Sequence, residues 1–182
     1  MAPSWAWGYN GYGQFGDGTT TFRYVPVQVT SLTSVIAVSA GAYSTMALKQ
    51  GGTVWSSGYN GYGELGDGTT SGRYSPVQAS GFSSGILFGA GDHHTLAVKQ
   101  DGTLWGWGGN TEGQLGNGTA TSRYTPGRVT SLTGIIALEA GEALTVAVRK
   151  DGTVWAWGHN GHGELGDGTY TQRLTPVVVP GL

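Results

Sequence analysis

Apolar residues in this chain alternate with small or polar ones at a period of two, and the alternation is interrupted by glycine rather than by helical spacing. Residues 34–41 (SVIAVSAG), 85–91 (GILFGAG) and 134–141 (GIIALEAG) predict strands that end on glycine. A second strand follows each at once, STMALK, HTLAVK or LTVAVR. Gly51-Gly52, Asp101-Gly102 and Asp151-Gly152 then predict two-residue hairpin turns with positive φ at both positions. TVWSSG, TLWGWG and TVWAWG give third strands. A fourth comes only after a glycine-rich loop of about fifteen residues and is marked by Arg73, Pro76 and Val77 and their counterparts. A proline there suits a sheet edge, where a missing amide hydrogen leaves no gap.

The whole pattern recurs every 50 residues: Gly8, Gly58, Gly108 and Gly158 are in register, as are Asn10, Asn60, Asn110 and Asn160. A fixed period of this length implies supersecondary units that bury their faces against neighbours. Four antiparallel strands per unit describe a β-propeller blade, and a β-solenoid would use shorter coils. The expectation is an all-β propeller of about 3.6 repeats in a single domain, 1–182, with repeats near 1–33, 34–83, 84–133 and 134–182. Counting strands, residues 5–29 supply only a third-and-fourth-strand pair, and three complete four-strand sets follow. Ala40-Gly41, Ala90-Gly91 and Ala140-Gly141 suit the crowded centre, and tryptophans such as Trp105 and Trp107 suit the wider gaps between sheets.

Composition removes several classes. Glycine supplies 35 of the 182 residues, in register, so neither a collagen triplet nor a flexible tract fits. Only 11% of residues are charged, with a net charge of -2, and no basic stripe points to nucleic acid. No apolar run would cross a bilayer and no targeting segment is evident, so the chain reads as soluble, in an unspecified compartment. Cysteine is absent.

The combination WGWGGNTEGQLGNGT, then arginine, proline and valine, then HTLAVKQDGTLW, resembles the repeat of the regulator of chromosome condensation 1 (RCC1) superfamily along essentially the whole chain. The resemblance implies a propeller, usually seven-bladed, and the habit of binding proteins. Its members include a nuclear exchange factor, a plant ultraviolet receptor and a bacterial β-lactamase-inhibiting protein. Nothing here is similar to the exchange factor's inserted wedge or basic tail, or to the receptor's clustered interface tryptophans. Seven blades need about twice this length, so the open ends imply either a homodimer or other homo-oligomer that completes the ring, or a piece of a longer array.

Candidate chemistry is sparse. Asp92, His93 and His94 are the one compact polar cluster, but two histidines fall short of a metal site, and His94 reads as a hydrogen-bonding turn residue. Asp17, Asp67, Asn117 and Asp167 alternate carboxylate with amide, which implies a side-chain-to-backbone turn bond. Arg23, Arg73, Arg123 and Arg173 read as forks bracing loop carbonyls. No nucleophile constellation or phosphate loop is present, so neither an enzyme nor a cofactor or metal is expected.

Binding should lie where the repeats differ. The candidate partner-binding residues are Tyr9, Tyr12, Tyr43, Tyr59, Tyr62, Asp92, His93, Glu112, Glu142, His159 and His162. Aromatic and mixed polar groups on glycine-supported loops suit a protein partner. A lectin-like surface, with tyrosines stacked on sugar rings, and a purely structural or engineered propeller fragment are the other readings.

Overall fold

The computed structural model describes residues 4–182, so the first three positions of the first repeat lie outside it. Its fourteen strands form one two-stranded and three four-stranded antiparallel sheets, and the described residues contain no helix. The half-blade pairs β1 (Ser4–Gly8) with β2 (Arg23–Val29). The first full blade runs β3 (Val35–Ala40), β4 (Ser44–Lys49), β5 (Val54–Gly58) and β6 (Arg73–Gln78). The second runs β7 (Gly85–Ala90), β8 (His94–Lys99), β9 (Thr103–Gly108) and β10 (Arg123–Thr133). The third runs β11 (Ile135–Ala140), β12 (Leu144–Arg149), β13 (Val154–Gly158) and β14 (Arg173–Val178).

Sequential pairing within each sheet joins the first three strands by short turns and the third to the fourth by the long glycine-rich loop, and the strands expected from the period-two pattern are all present. The hairpin turns differ from expectation. Only Gly52, Gly102 and Gly152 take positive φ, while the residue before each does not. Gly52 N–H donates to the Lys49 carbonyl at 2.8 Å and Lys49 N–H to the Thr53 carbonyl at 3.0 Å. This is a three-residue connection with a bulge, in which one left-handed glycine suffices, so Asp101 and Asp151 are tolerated. Their carboxylates instead bind the following threonine, as in Asp101 Oδ1 with Thr103 N–H at 3.0 Å.

First strands of successive blades converge. A Cβ on Gly41 would fall 2.5 Å from the Gly91 carbonyl, and Gly91 stands in the same relation to Gly141. Small residues are therefore required where the blades meet. Farther out, aliphatic and aromatic side chains fill the wedges. Met46, Leu48, Val54, Phe82 and Trp107 pack between the first two full blades, and Leu96, Leu104, Leu115, Leu138 and Trp157 between the last two. Between the half-blade and β3–β6 the wedge is not filled. A cavity of about 380 Å³ opens there, lined by Trp5, Trp7, Phe15, Val29 and Val38 among others.

Each glycine-rich loop is organised around one buried asparagine. Asn110 Nδ2 donates to the Thr119 and Thr121 carbonyls at 2.8 and 3.1 Å, and its Oδ1 accepts from Leu115 N–H at 2.9 Å. Asn10, Asn60 and Asn160 repeat the arrangement. Asn110→Ala would orphan all three backbone groups, and we expect it to cost about 2–3 kcal/mol. A fall in the urea midpoint at constant m-value would register this loss, and an unchanged midpoint would contradict the role.

The aspartates make the expected turn bond, Asp67 Oδ1 accepting from Thr69 N–H at 2.9 Å. The arginines correct the expectation. Arg73 and Arg173 donate to Asp67 and Asp167 Oδ2 at 2.7 Å rather than to loop carbonyls. Where asparagine replaces the carboxylate, Arg123 turns to the Arg128 carbonyl at 3.3 Å. A guanidinium takes the charged acceptor when one is within reach, because charge-assisted bonds are stronger.

Candidate functional site

The loops that follow each third strand, and the turns between first and second strands, gather on one rim of the blades. The Gly-x-Gly turns that begin these loops let the preceding aromatic fold over the backbone, so the Tyr9 and Tyr59 rings lie directly above Gly11 and Gly61. A side chain at either glycine would occupy the ring's place. Tyr9 and Tyr59 are thereby held against the loop backbone.

Six of the expected residues form one continuous run. Tyr9 contacts Tyr12 and Tyr43 at centroid separations of 6.2 and 6.3 Å, and Tyr12 contacts Tyr43 and Tyr59 at 4.9 and 5.4 Å. Tyr59 and Tyr62 then lead to His93, which lies 4.5 Å from Tyr62. Tyr9, Tyr12, Tyr43 and Tyr62 are exposed, and Tyr59 is half-buried beneath them. Phe22 extends the run at 4.8 Å from Tyr9, although nothing about its position in the sequence singled it out.

Beyond His93 the rim becomes acidic. Asp92, Glu112 and Glu142 line a cleft of about 140 Å³ together with Tyr62 and His93. His159 and His162 are not part of this group. They lie on the last blade around Glu164, with Nδ1 to Oε1 distances of 3.0 and 3.3 Å. Bonds to the Glu164 carboxylate, from its own backbone first and then from His162 N–H, hold its pKa down to about 2.

Two titratable groups under the rim were not foreseen in their roles. Glu64 is fully buried; its Oε2 accepts from Tyr62 N–H at 2.9 Å, while Oε1 has no hydrogen-bond partner and lies 3.7 Å from His93 Nδ1. Burial raises its pKa to about 7. Gln14 and Gln114 make the equivalent bond to Tyr12 and Glu112 N–H, so repeat comparison carried a signal for a site that an amide also satisfies. His94 is not a turn residue. It opens β8, is wholly buried, and shares a 3.1 Å bond between Nε2 and Thr145 Oγ1 of the next blade. Burial, and then the neighbouring His93, depress its pKa to about 3.

Among the described residues no three His, Asp or Glu side chains are arranged to hold a metal ion, and no helix is long and apolar enough to cross a membrane. The rim offers stacking faces, phenol groups and carboxylates. It can hold another molecule's apolar and cationic groups.

Comparison with known proteins gives the same architecture. A family model described as the regulator of chromosome condensation (RCC1) repeat matches residues 5–48, 51–98, 101–148 and 151–182, and a second model of that description matches 35–64, 87–114 and 135–164. The matched unit joins the outer strands of one blade to the inner strands of the next. Human WBSCR16 superposes at a TM-score of 0.84 with 24% identity, over 97% of this chain and 47% of that one. Yeast RCC1 (Prp20), in its crystal structure bound to Kap60, gives 0.85 with 21% identity over 97% and 44%. Prp20p from Saccharomyces cerevisiae, in a structure described together with its binding to Gsp1p and histones, gives 0.81 with 22% identity over 98% and 46%. The chain spans less than half the length of each.

Proposed function

Because the chain belongs to the RCC1 repeat family, we propose that it is a non-enzymatic propeller scaffold whose aromatic and acidic rim binds another protein, and whose copies pair to complete the ring. The observation that carries the binding half is the unbroken run from Tyr9 to His93. Five tyrosines on backbone-supported positions give large contact area with few rotors to immobilise, which favours recognition over catalysis. Yeast RCC1 is known bound to Kap60, a protein partner. The acidic cleft beside the tyrosines suits a partner segment that carries a lysine or arginine next to apolar residues.

A peptide-display selection on the intact chain tests this. Selected peptides are expected to combine basic and apolar residues and to lose about 10- to 100-fold in affinity on Tyr12→Ala plus Tyr62→Ala, since stacked tyrosines are common hot spots. Asp92→Asn plus Glu142→Gln should weaken the same peptides less, and mostly at low salt. Selection of peptides that bind both variants unchanged would place the partner elsewhere. Glycan-array binding abolished by the tyrosine pair would replace this reading with a lectin-like one.

A further inference from the structure

One contact recurs from repeat to repeat, with Ser57 in place of the tryptophan at the first internal junction, where its hydroxyl donates to the Gln14 carbonyl at 3.1 Å, and its two halves stand unoccupied at opposite ends of the chain. At the other two junctions Gly66 and Gly116 lie flat against the indoles of Trp107 and Trp157. Those indole N–H groups donate to the Glu64 and Gln114 carbonyls at 3.0 and 2.9 Å. Gly13, Gly63 and Gly113 press on the backbone of Tyr74, Tyr124 and Leu174. Gly18, Gly68 and Gly118 N–H donate to the carbonyls of those same three residues at 2.8, 2.9 and 2.8 Å.

In the last repeat the corresponding loop has no such partner. A Cβ on Gly163 or Gly166 would meet only Thr169, Tyr170 and Val179 of their own blade, and one on Gly168 would meet nothing. A cleft of about 420 Å³ lies between His162, Gly163, Gly166, Gly168, Thr169 and Tyr170. In the first repeat the complementary groups stand free. Trp7, at the position of the buried Trp107 and Trp157, is 61% exposed, and Tyr24, at the position of Tyr74 and Tyr124, is 92% exposed.

We infer that Trp7 and Tyr24 of one copy seat on the Gly163–Gly168 loop of a second copy, head to tail. This rests on the pairing proposed above and specifies its register. The Trp7 indole N–H donates to the Glu164 carbonyl, its ring covers Gly166, the Tyr24 backbone covers Gly163, and the Tyr24 carbonyl accepts from Gly168 N–H. Every one of these contacts continues an interface that the chain already makes with itself. Two copies in this register supply six full and two half blades, eight blade positions, so the heterologous contact can close into a ring rather than run on.

Light scattering on the full chain is expected to give about twice the 18.8 kDa chain mass. Trp7→Ala removes the head and Gly166→Asn blocks the tail. Asparagine tolerates the left-handed backbone at position 166, and circular dichroism confirms that each variant is folded. Each variant alone should run as a monomer, whereas an equimolar mixture should recover a pair, because one intact head then meets one intact tail. A wild-type monomer overturns both the register and the pairing. A pair that survives both substitutions, or one that mixing does not restore, overturns the register alone.

Discussion

Trp107→Ala is expected to destabilise the chain by about 3–5 kcal/mol, the usual cost of emptying a large buried aromatic site. Trp107 is wholly buried, packs with Met46, Leu48 and Phe82, and ties its indole N–H to the Glu64 carbonyl of the preceding blade. Its removal leaves a cavity and an unpaired carbonyl at once. The same substitution at Trp7 should cost under about 1 kcal/mol in the dilute monomer, because an exposed side chain surrenders little burial. Urea unfolding of the two variants side by side reads the difference. Equal losses would mean that Trp7 is already packed within a single chain, against the open half-blade described here.

This contrast also marks how far a sequence of repeats can be read. The strands of every blade and the incomplete first sheet were legible, because alternation and glycine register report on one unit at a time. The tyrosines were legible as well, since Tyr9, Tyr12, Tyr59 and Tyr62 stand where other repeats carry glycine, glutamate or histidine. What escaped the sequence depends on the neighbouring blade. His94 opens a strand and bonds across a junction to Thr145, and nothing within its own repeat signals that. The grouping of Asp92 with Glu112 and Glu142, and the separation of His159 and His162 from it, follow from blade positions. The arginine and hairpin corrections have a local cause. A carboxylate six residues away outcompetes carbonyls for Arg73, and one left-handed glycine satisfies a bulged turn that an Asp-Gly pair also suggests.

Stability should respond to pH through two buried groups that act in opposite directions. His94 titrates near 3 when folded against an ordinary value of 6.5, so its neutral-form stability is complete above 6.5 and is lost as pH falls towards 3. The loss is on the order of 5 kcal/mol. Glu64 titrates near 7 when folded against 4.5, so it imposes no penalty below 4.5 and a growing one as pH rises to 7. Between 6.5 and 4.5 the unfolded chain takes up a proton at His94 while the folded chain takes one up at Glu64, and the two slopes cancel. The wild type should therefore be nearly indifferent to pH across that window and weaken steeply below it, where the hydrogen-bonded aspartates also protonate. Glu64→Gln removes one side of the balance. Gln114 already fills the equivalent buried position, its Oε1 accepting from Glu112 N–H at 3.0 Å, so the amide fits. The variant should gain about 2–3 kcal/mol over wild type at pH 8, gain nothing at pH 4.5, and lose stability steadily from 6.5 downward. Urea midpoints taken at half-unit pH steps would decide it. A variant whose advantage is the same at pH 8 and pH 4.5 would mean that Glu64 is not the group held neutral by burial.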